Sequence, residues 1–129
     1  MLLRWYFRHD SFLQQVPASI RVAAELRHPS WNDPAVYQML ERRRAAYVVM
    51  SGGGSARVPR ATTDLVYVWM HGPDQDAIYA GCYSDDELHR WANRIAQWDG
   101  EGMDAWVYFN NDLGGHAVRN ALTLQELLR

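Results

Sequence analysis

Side chains able to do chemistry lie at or just after the carboxyl ends of several apolar runs in this sequence. Glu25, Arg27 and His28 accompany the first run, and His71 directly follows a later one. A carboxylate together with an imidazole is a combination used in general acid–base catalysis. We therefore predict Glu25 and His71 as candidate catalytic residues, with Glu25 as the acid or base and His71 as a proton shuttle.

The last apolar run ends in the polar and glycine-rich stretch NNDLGG. Side chains alternate between the two faces of a strand, so Asn110 should share a face with Tyr108 and Asn111 should point to the other side. We expect Asn110 to face a ligand, whereas Asn111 and Asp112 hold a turn that the two glycines complete with positive φ. Both asparagines are nevertheless kept as candidate substrate-orienting residues.

The six Trp and seven Tyr are the unusual feature of the composition. Most buried aromatic side chains simply supply apolar area to a core, but those near loops can stack on a sugar-like or nucleoside-like ligand. The predicted substrate-binding residues are Arg27, His28, Trp31, Trp69, Tyr79, Tyr83, Asn110 and Asn111.

Each of these candidates has an ordinary structural alternative. Glu25 and Arg27 are two residues apart and could form an ion pair along one face of a strand. His28 and His71 could each bond to backbone at a strand end. No His-x-x-x-His or similar spacing supports a metal site, so we predict none. The sequence indicates no particular cofactor.

Four apolar runs have strand character: 22–26, 46–50, 65–70 and 105–109. They are nearly continuous rather than alternating, which is typical of strands covered on both faces in a parallel sheet. Helical patterns lie between them. The predicted fold class is therefore α/β, with alternating βα units and four parallel strands.

The helix boundaries are marked by capping signals. Asp33 followed by Pro34 predicts one helix start, and Ser84 with Glu87 forms a capping box for another. A first helix is predicted over 10–16, stopped by Pro17. Near the C-terminus we predict a short helix and then a second one starting at Thr123.

The stretch 51–63 is predicted to be a loop in place of a helix. It contains three consecutive glycines, but no Gly-Lys-Ser/Thr sequence follows them, so a phosphate-binding loop is not indicated.

Length and composition favour a single domain, 1–129. The net charge of −2 and the 22% charged residues leave no basic footprint for nucleic acid. No apolar run approaches the roughly 20 residues that span a bilayer. The single cysteine allows no internal disulfide, so we expect a cytoplasmic protein without membrane or nucleic-acid partners.

Several separated segments, AAELRHPSW, LVYVWMHGPD, IYAGCYSDDELHRWANRIAQW and VYFNNDLGGHAVRNALTLQELL, closely resemble the domain-of-unknown-function family 72, also called YecE-like. The resemblance runs in order from about Phe12 to the C-terminus. It implies a TIM-like (β/α) barrel, of which this chain's four strands correspond to the last four of eight. Where many members carry an arginine and an aspartate, this chain has Trp69 and Ser51.

A half-barrel has two unpaired edge strands, which invites association. We therefore expect either a homo-oligomer or a separately encoded N-terminal half-barrel as partner. We expect the protein to bind a small polar ligand at the strand ends, whether or not it is an enzyme. The alternatives are a non-catalytic binding or assembly module, and a degenerate fragment of a barrel enzyme.

Overall fold

The computed structural model describes residues 2–52, 58–74 and 76–129, with side chains from residue 8 onward. The elements are α1 (Leu2–Gln15), β1 (Val22–Ala24), α2 (Pro34–Arg43), β2 (Ala45–Ser51), β3 (Leu65–Met70), α3 (Asp85–Gly100), β4 (Asp104–Phe109) and α4 (His116–Leu127). The four strands form one sheet in the order β1-β2-β3-β4, and each neighbouring pair is parallel. The predicted α/β class is confirmed.

The predicted capping signals start their helices as expected. The Asp33 carboxylate accepts a hydrogen bond from the Ala35 N–H at 2.8 Å, directly before α2. Ser84 and Glu87 form the reciprocal capping box at the start of α3. These local hydrogen bonds satisfy backbone N–H groups that have no partner inside the helix. They also fix where the chain turns from each preceding segment into its helix.

Three predicted boundaries are wrong. Helix α1 begins at Leu2 rather than near residue 10, although it ends before Pro17 as expected. Helix α4 is one continuous helix, because the Thr123 hydroxyl donates to the Arg119 carbonyl inside it instead of capping a new helix. Strand β1 ends at Ala24, so Glu25 lies just beyond the strand.

Part of the stretch predicted as a loop cannot be compared with the structure. Residues 53–57, which include two of the three consecutive glycines, lie outside the described residues. Residues 58–63 form neither helix nor strand, and the preceding Ser51 still belongs to β2.

The two faces of the sheet differ in their covering. Helices pack on one face, where Val49, Val68 and Met70 are almost fully buried. The opposite face carries Tyr67 and Trp69 of β3 beside Trp106 and Tyr108 of β4. We call this the open face, because Trp106 and Tyr108 keep 47% and 48% of their surface exposed.

An ion pair connects the first and last strands at their amino ends. Arg21, which precedes β1, donates from Nη1 to the Asp104 Oδ2 of β4 at 2.7 Å. Its guanidinium carbon also lies 5.6 Å from the Trp106 ring centroid. In a flat sheet β1 and β4 would be about 14 Å apart, at about 4.8 Å per strand. The contact therefore fits a sheet that curves toward its open face.

A second ion pair joins α1 to α2. The Asp10 carboxylate accepts hydrogen bonds from Arg43 Nε at 2.7 Å and from Arg43 Nη2 at 3.0 Å. These hydrogen bonds lower the pKa of Asp10 below its ordinary value of 3.8. A carboxyl whose pKa is lowered by folding stabilises the folded state above its unfolded-state pKa, and this contribution is lost as the pH falls through the folded-state value.

We expect Asp10→Asn to lower the free energy of unfolding at neutral pH by about 1 kcal/mol, as is usual for an ion pair that solvent partly reaches. The deficit should shrink as the pH falls below 3.8, where the wild-type carboxyl also loses its charge. Urea denaturation at neutral and acidic pH measures both values. The exposed Asp99→Asn serves as the control, and a deficit for Asp10→Asn that does not change with pH would contradict the assignment.

Candidate functional site

Four of the predicted site residues meet at the carboxyl ends of the strands. Glu25 Oε1 accepts a hydrogen bond from Arg27 Nε at 2.6 Å and lies 3.4 Å from His71 Nε2. On the other side of the ring, His71 Nδ1 is 3.1 Å from Asn110 Oδ1. Glu25, Arg27, His71 and Asn110 are called the polar cluster below. Residues 85 positions apart in the chain thus contact one histidine.

The sheet itself positions the polar cluster. The His71 N–H donates to the Ser51 carbonyl at 2.8 Å, and the Asn110 N–H donates to the Met70 carbonyl at 3.1 Å. Each bond extends a parallel ladder by one residue beyond the strand. In parallel α/β folds the carboxyl ends of strands form one edge, where side chains from different strands converge.

The contacts of His71 define where its proton lies. Nε2 faces the Glu25 carboxylate, an acceptor, so an N–H at Nε2 is favoured over a lone pair. If Asn110 presents its oxygen to the ring, Nδ1 donates to it; if the amide is turned over, Nδ1 accepts from the amide nitrogen instead. In both arrangements Nε2 holds the proton that Glu25 can receive.

Arg27 and Tyr79 each contact one member of the pair formed by Glu25 and His71. Hydrogen bonds to Glu25 and then to Tyr79 raise the pKa of Arg27, so its guanidinium stays charged. The Tyr79 ring contacts the His71 ring edge-on, with centroids 5.6 Å apart. Tyr79 has φ 71°, in the left-handed region that side chains other than glycine rarely adopt, and its N–H donates to the His71 carbonyl at 2.8 Å.

A row of aromatic rings continues from His71 down the open face. Trp69 stacks on His71 with centroids 5.3 Å apart, and Tyr67 stacks on Tyr108 at 5.0 Å. Burial, followed by the neighbouring Tyr108 and Glu25, raises the pKa of Tyr67. The Trp69 Nε1 is buried without a hydrogen-bond partner among the described residues. This row therefore offers flat apolar surface and one unused donor beside the polar cluster.

The remaining predicted site residues have other partners. Tyr83 is buried, and its hydroxyl accepts from the Gly72 N–H at 2.9 Å and donates to the Ser51 carbonyl at 3.2 Å. His28 Nδ1 accepts from the Ser30 N–H at 3.2 Å, so it caps a short 3₁₀ turn. Trp31 contacts His9 of α1, with ring centroids 5.2 Å apart.

Asn111 points to the helix-covered side, opposite to its neighbour Asn110. It is fully buried, and its Nδ2 donates to the Gly81 carbonyl and to Asn120 Oδ1, both at 2.9 Å. Asn120 in turn accepts from the Tyr83 N–H at 3.2 Å. These amides join the end of β4 to α4 and to the loop before α3. The two glycines that follow have positive φ as expected, 79° at Gly114 and 71° at Gly115, but the Asp112 side chain makes no capping hydrogen bond and the Asn111 amide bonds to other segments instead of holding the turn.

Three open-face aromatics, Tyr67, Trp106 and Tyr108, were not among the predicted site residues. Their signal in the sequence is the alternation of large rings at every second position in LVYVWM and DAWVYF. Such alternation places Tyr67 with Trp69, and Trp106 with Tyr108, on one face of each strand. The apolar residues between the rings hid this pattern.

The described residues contain no group of three or more His, Cys, Asp or Glu side chains arranged to hold a metal ion. None of the helices in the described part of the chain is long and apolar enough to cross a membrane.

Comparison with known proteins identifies the relatives of this chain. Residues 5–129 match the model of a family described as "Protein of unknown function DUF72". A DUF72 family protein from Thermotoga maritima has a similar structure, with a TM-score of 0.86 and 25% sequence identity; the match covers 95% of this chain and 51% of that one. Comparison with curated proteins gives no match.

A DUF72 family protein from Enterococcus faecalis agrees in fold in two crystal structures. The TM-scores are 0.80 and 0.78, at 22% and 21% identity. The matches cover 94% and 98% of this chain, but 53% and 54% of the other. The chain thus spans about half the length of these solved relatives. Its four parallel strands and helices are consistent with part of a TIM-like barrel.

The different surroundings of Asn110 and Asn111 lead to a stability prediction. We expect Asn111→Ala to lower the free energy of unfolding by roughly 1–3 kcal/mol, because buried groups of Gly81 and Asn120 lose their partner. Asn110→Ala, its matched neighbour, should cost less than about 1 kcal/mol. Urea denaturation of both variants measures the difference, and equal losses would contradict the division of roles.

Proposed function

The chain belongs to the DUF72 family of proteins of unknown function, and on that premise we propose that it binds a small polar ligand at the carboxyl ends of its strands. The observation that carries the proposal is the polar cluster, in which Glu25, Arg27 and Asn110 surround the buried His71. A carboxylate, a guanidinium, an imidazole and an amide within hydrogen-bonding range provide both donors and acceptors.

The ligand we propose is sugar-like or nucleoside-like. Such molecules combine hydroxyl groups, which both donate and accept, with a flat or faceted ring that packs on aromatic side chains. Trp69 stacks against His71 and has a buried Nε1 without a partner, so a ligand oxygen would supply the missing acceptor. Asn110 and Arg27 would orient the ligand, while Glu25 and His71 exchange a proton with it if the site is catalytic.

A cytoplasmic location belongs to the same proposal. It rests on the single cysteine, which leaves no internal disulfide to favour an oxidising compartment.

Thermal unfolding with panels of sugars, sugar phosphates, nucleotides and divalent metals tests the ligand proposal. A ligand present at 100 times its Kd stabilises the folded state by about 2.7 kcal/mol, which raises Tm by several degrees. Glu25→Gln and His71→Ala should abolish the shift while circular dichroism stays unchanged. Glu41→Gln, which alters an exposed ion pair with Arg60, is the matched control and should keep the shift.

No shift with any compound in these panels would contradict the ligand proposal. A shift that survives both Glu25→Gln and His71→Ala would place the ligand elsewhere on the protein.

A second candidate function is assembly into a larger barrel, with or without catalysis. The observation that favours it is the set of exposed apolar side chains at the two sides of the sheet. Phe12 and Ile20 are 63% and 57% exposed near β1, and Val118 and Leu122 are 68% and 56% exposed on α4 beside β4. The outer backbone edges of β1 and β4 also lack a neighbouring strand in the four-stranded sheet.

The arrangement of helices favours a separately encoded half-barrel over a second copy as the partner. Helix α1 packs on α2, while α4 packs on β4 and α3. If two copies closed a barrel around a twofold axis, α1 of one copy and α4 of the other would compete for the same position outside the new strand junction. A partner that begins and ends with a strand avoids this conflict.

We expect the chain on its own to self-associate through these unpaired edges. Size-exclusion chromatography with light scattering should give a mass above 14.9 kDa that rises with concentration. Val118→Asp combined with Leu122→Asp should reduce that mass, since both substitutions put charge into an apolar contact. Ala96→Asp, at an exposed position on α3, is the control.

A monodisperse monomer at every concentration would contradict self-association through the unpaired edges and leave a separately encoded half-barrel as the remaining partner. If neither a ligand nor self-association is found, the third alternative, a degenerate fragment without independent function, gains support.

A further inference from the structure

His71 is the most buried side chain of the polar cluster, and a ligand that exchanges a proton with the cluster must reach it. His71 is 1% exposed, and its Nε2 is buried without an aligned hydrogen bond among the described residues. The Glu25 side chain facing it is 19% exposed. A ligand in solution therefore meets only a small exposed part of Glu25 and almost none of His71.

Two side chains that are more exposed than Glu25 and His71 contact this pair. Arg27 has 51% of its side chain exposed and is bonded to Glu25. Tyr79 is 38% exposed, contacts the His71 ring by its edge, and lies close enough to Arg27 to help raise the pKa of that guanidinium. Arg27 thus contacts Glu25 and Tyr79 contacts His71 from the more exposed side of the site, while Trp69 stacks on the His71 ring.

We propose that Arg27 and Tyr79 form a removable cover over Glu25 and His71, and that ligand entry requires both side chains to turn outward. This inference rests on the proposed ligand site and adds the way in which access to it is controlled. Binding of a ligand then competes with the contacts between Arg27, Glu25 and Tyr79. A ligand hydroxyl that donates to Glu25 replaces the hydrogen bond that Arg27 gives up.

The backbone at Tyr79 confines the movement to its side chain. The Tyr79 N–H donates to the His71 carbonyl at 2.8 Å, so the main chain at Tyr79 is attached to the end of β3. Its φ of 71° is costly for tyrosine and freely accessible to glycine. Tyr79→Gly therefore removes the ring from the cover without disturbing the backbone conformation.

Accessibility of His71 can be measured without any ligand. Diethyl pyrocarbonate acylates accessible, uncharged imidazole nitrogens, and peptide mass spectrometry gives a separate rate for each histidine. In the wild-type protein we expect His71 to be acylated at least about tenfold more slowly than the exposed His89, because reaction at His71 requires local opening. The acylation rates are compared at neutral and at alkaline pH. A histidine that is protected because its ring is protonated loses that protection as the pH rises, whereas a histidine that is protected by a cover does not.

Tyr79→Gly and Arg27→Ala should each raise the acylation rate of His71 toward that of His89. Arg60→Ala is the matched control, because it removes an arginine from another exposed ion pair, with Glu41. Circular dichroism and Tm establish that each variant is folded, and the unchanged rate of His89 provides an internal reference. Two variants on different segments keep the test valid if one of them fails to fold.

The cover is refuted if His71 of the wild-type protein reacts as fast as His89. It is also refuted if His71 stays equally protected in both folded variants, since other groups then bury it. Loss of protection in both variants supports the cover, even if the ligand panels give no thermal shift. That combination would count against the proposed ligand and not against the cover, so the two ideas fail separately.

Discussion

The site depends on one constraint: three backbone segments approach each other closely at the carboxyl ends of the strands. A Cβ on Gly52 would lie 1.8 Å from the Gly72 carbonyl oxygen, and a Cβ on Gly72 would lie 2.1 Å from the Ala80 carbonyl oxygen. Both glycines also have positive φ. Only glycine allows main chains to meet this closely. Because of it, the loop after β3 folds back over the strand ends and brings Tyr79 onto His71.

The end of β4 shows how one strand serves two environments. Asn110 turns to the side of the polar cluster, and Asn111 turns to the helices, where its amide is fully buried. A buried amide must find partners, and Asn111 finds them in Gly81 and Asn120. The resulting network fixes the loop that leads into α3. The residue that faces the polar cluster and the residue that supports the loop are therefore neighbours in the chain, on opposite faces of the strand.

The sequence was sufficient to predict what depends on local rules. Asp33 and Ser84 cap their helices because a side-chain oxygen reaches a nearby N–H, a contact that needs no tertiary structure. The facing of Asn110 and Asn111 likewise follows from the two-residue period of a strand, and the four strands were recognised by their near-continuous apolar runs. The convergence of Glu25 with His71 was an expectation from the topology of parallel sheets.

The features that sequence reasoning missed depend on contacts between distant segments. The positive φ of Tyr79 is imposed by its bond to His71 and by the neighbouring glycines. The spacing of Thr123 and Glu126 imitates a capping box, but the hydrophobic packing of Leu124 keeps α4 continuous. The role of Tyr83 depends on Ser51, 32 residues away, whose carbonyl its hydroxyl meets.

The ion pair between Arg21 and Asp104 has a consequence for how the sheet is assembled during folding. It joins residues 83 positions apart, so it forms only when β1 and β4 are both in register with the strands between them. The partners are 41% and 65% exposed, which makes the pair sensitive to salt and weak as a source of stability. The Arg21 guanidinium also lies 5.6 Å from the Trp106 ring centroid, so in a variant that keeps Trp106 as its single tryptophan the fluorescence of this ring would report whether the first and last strands have come together.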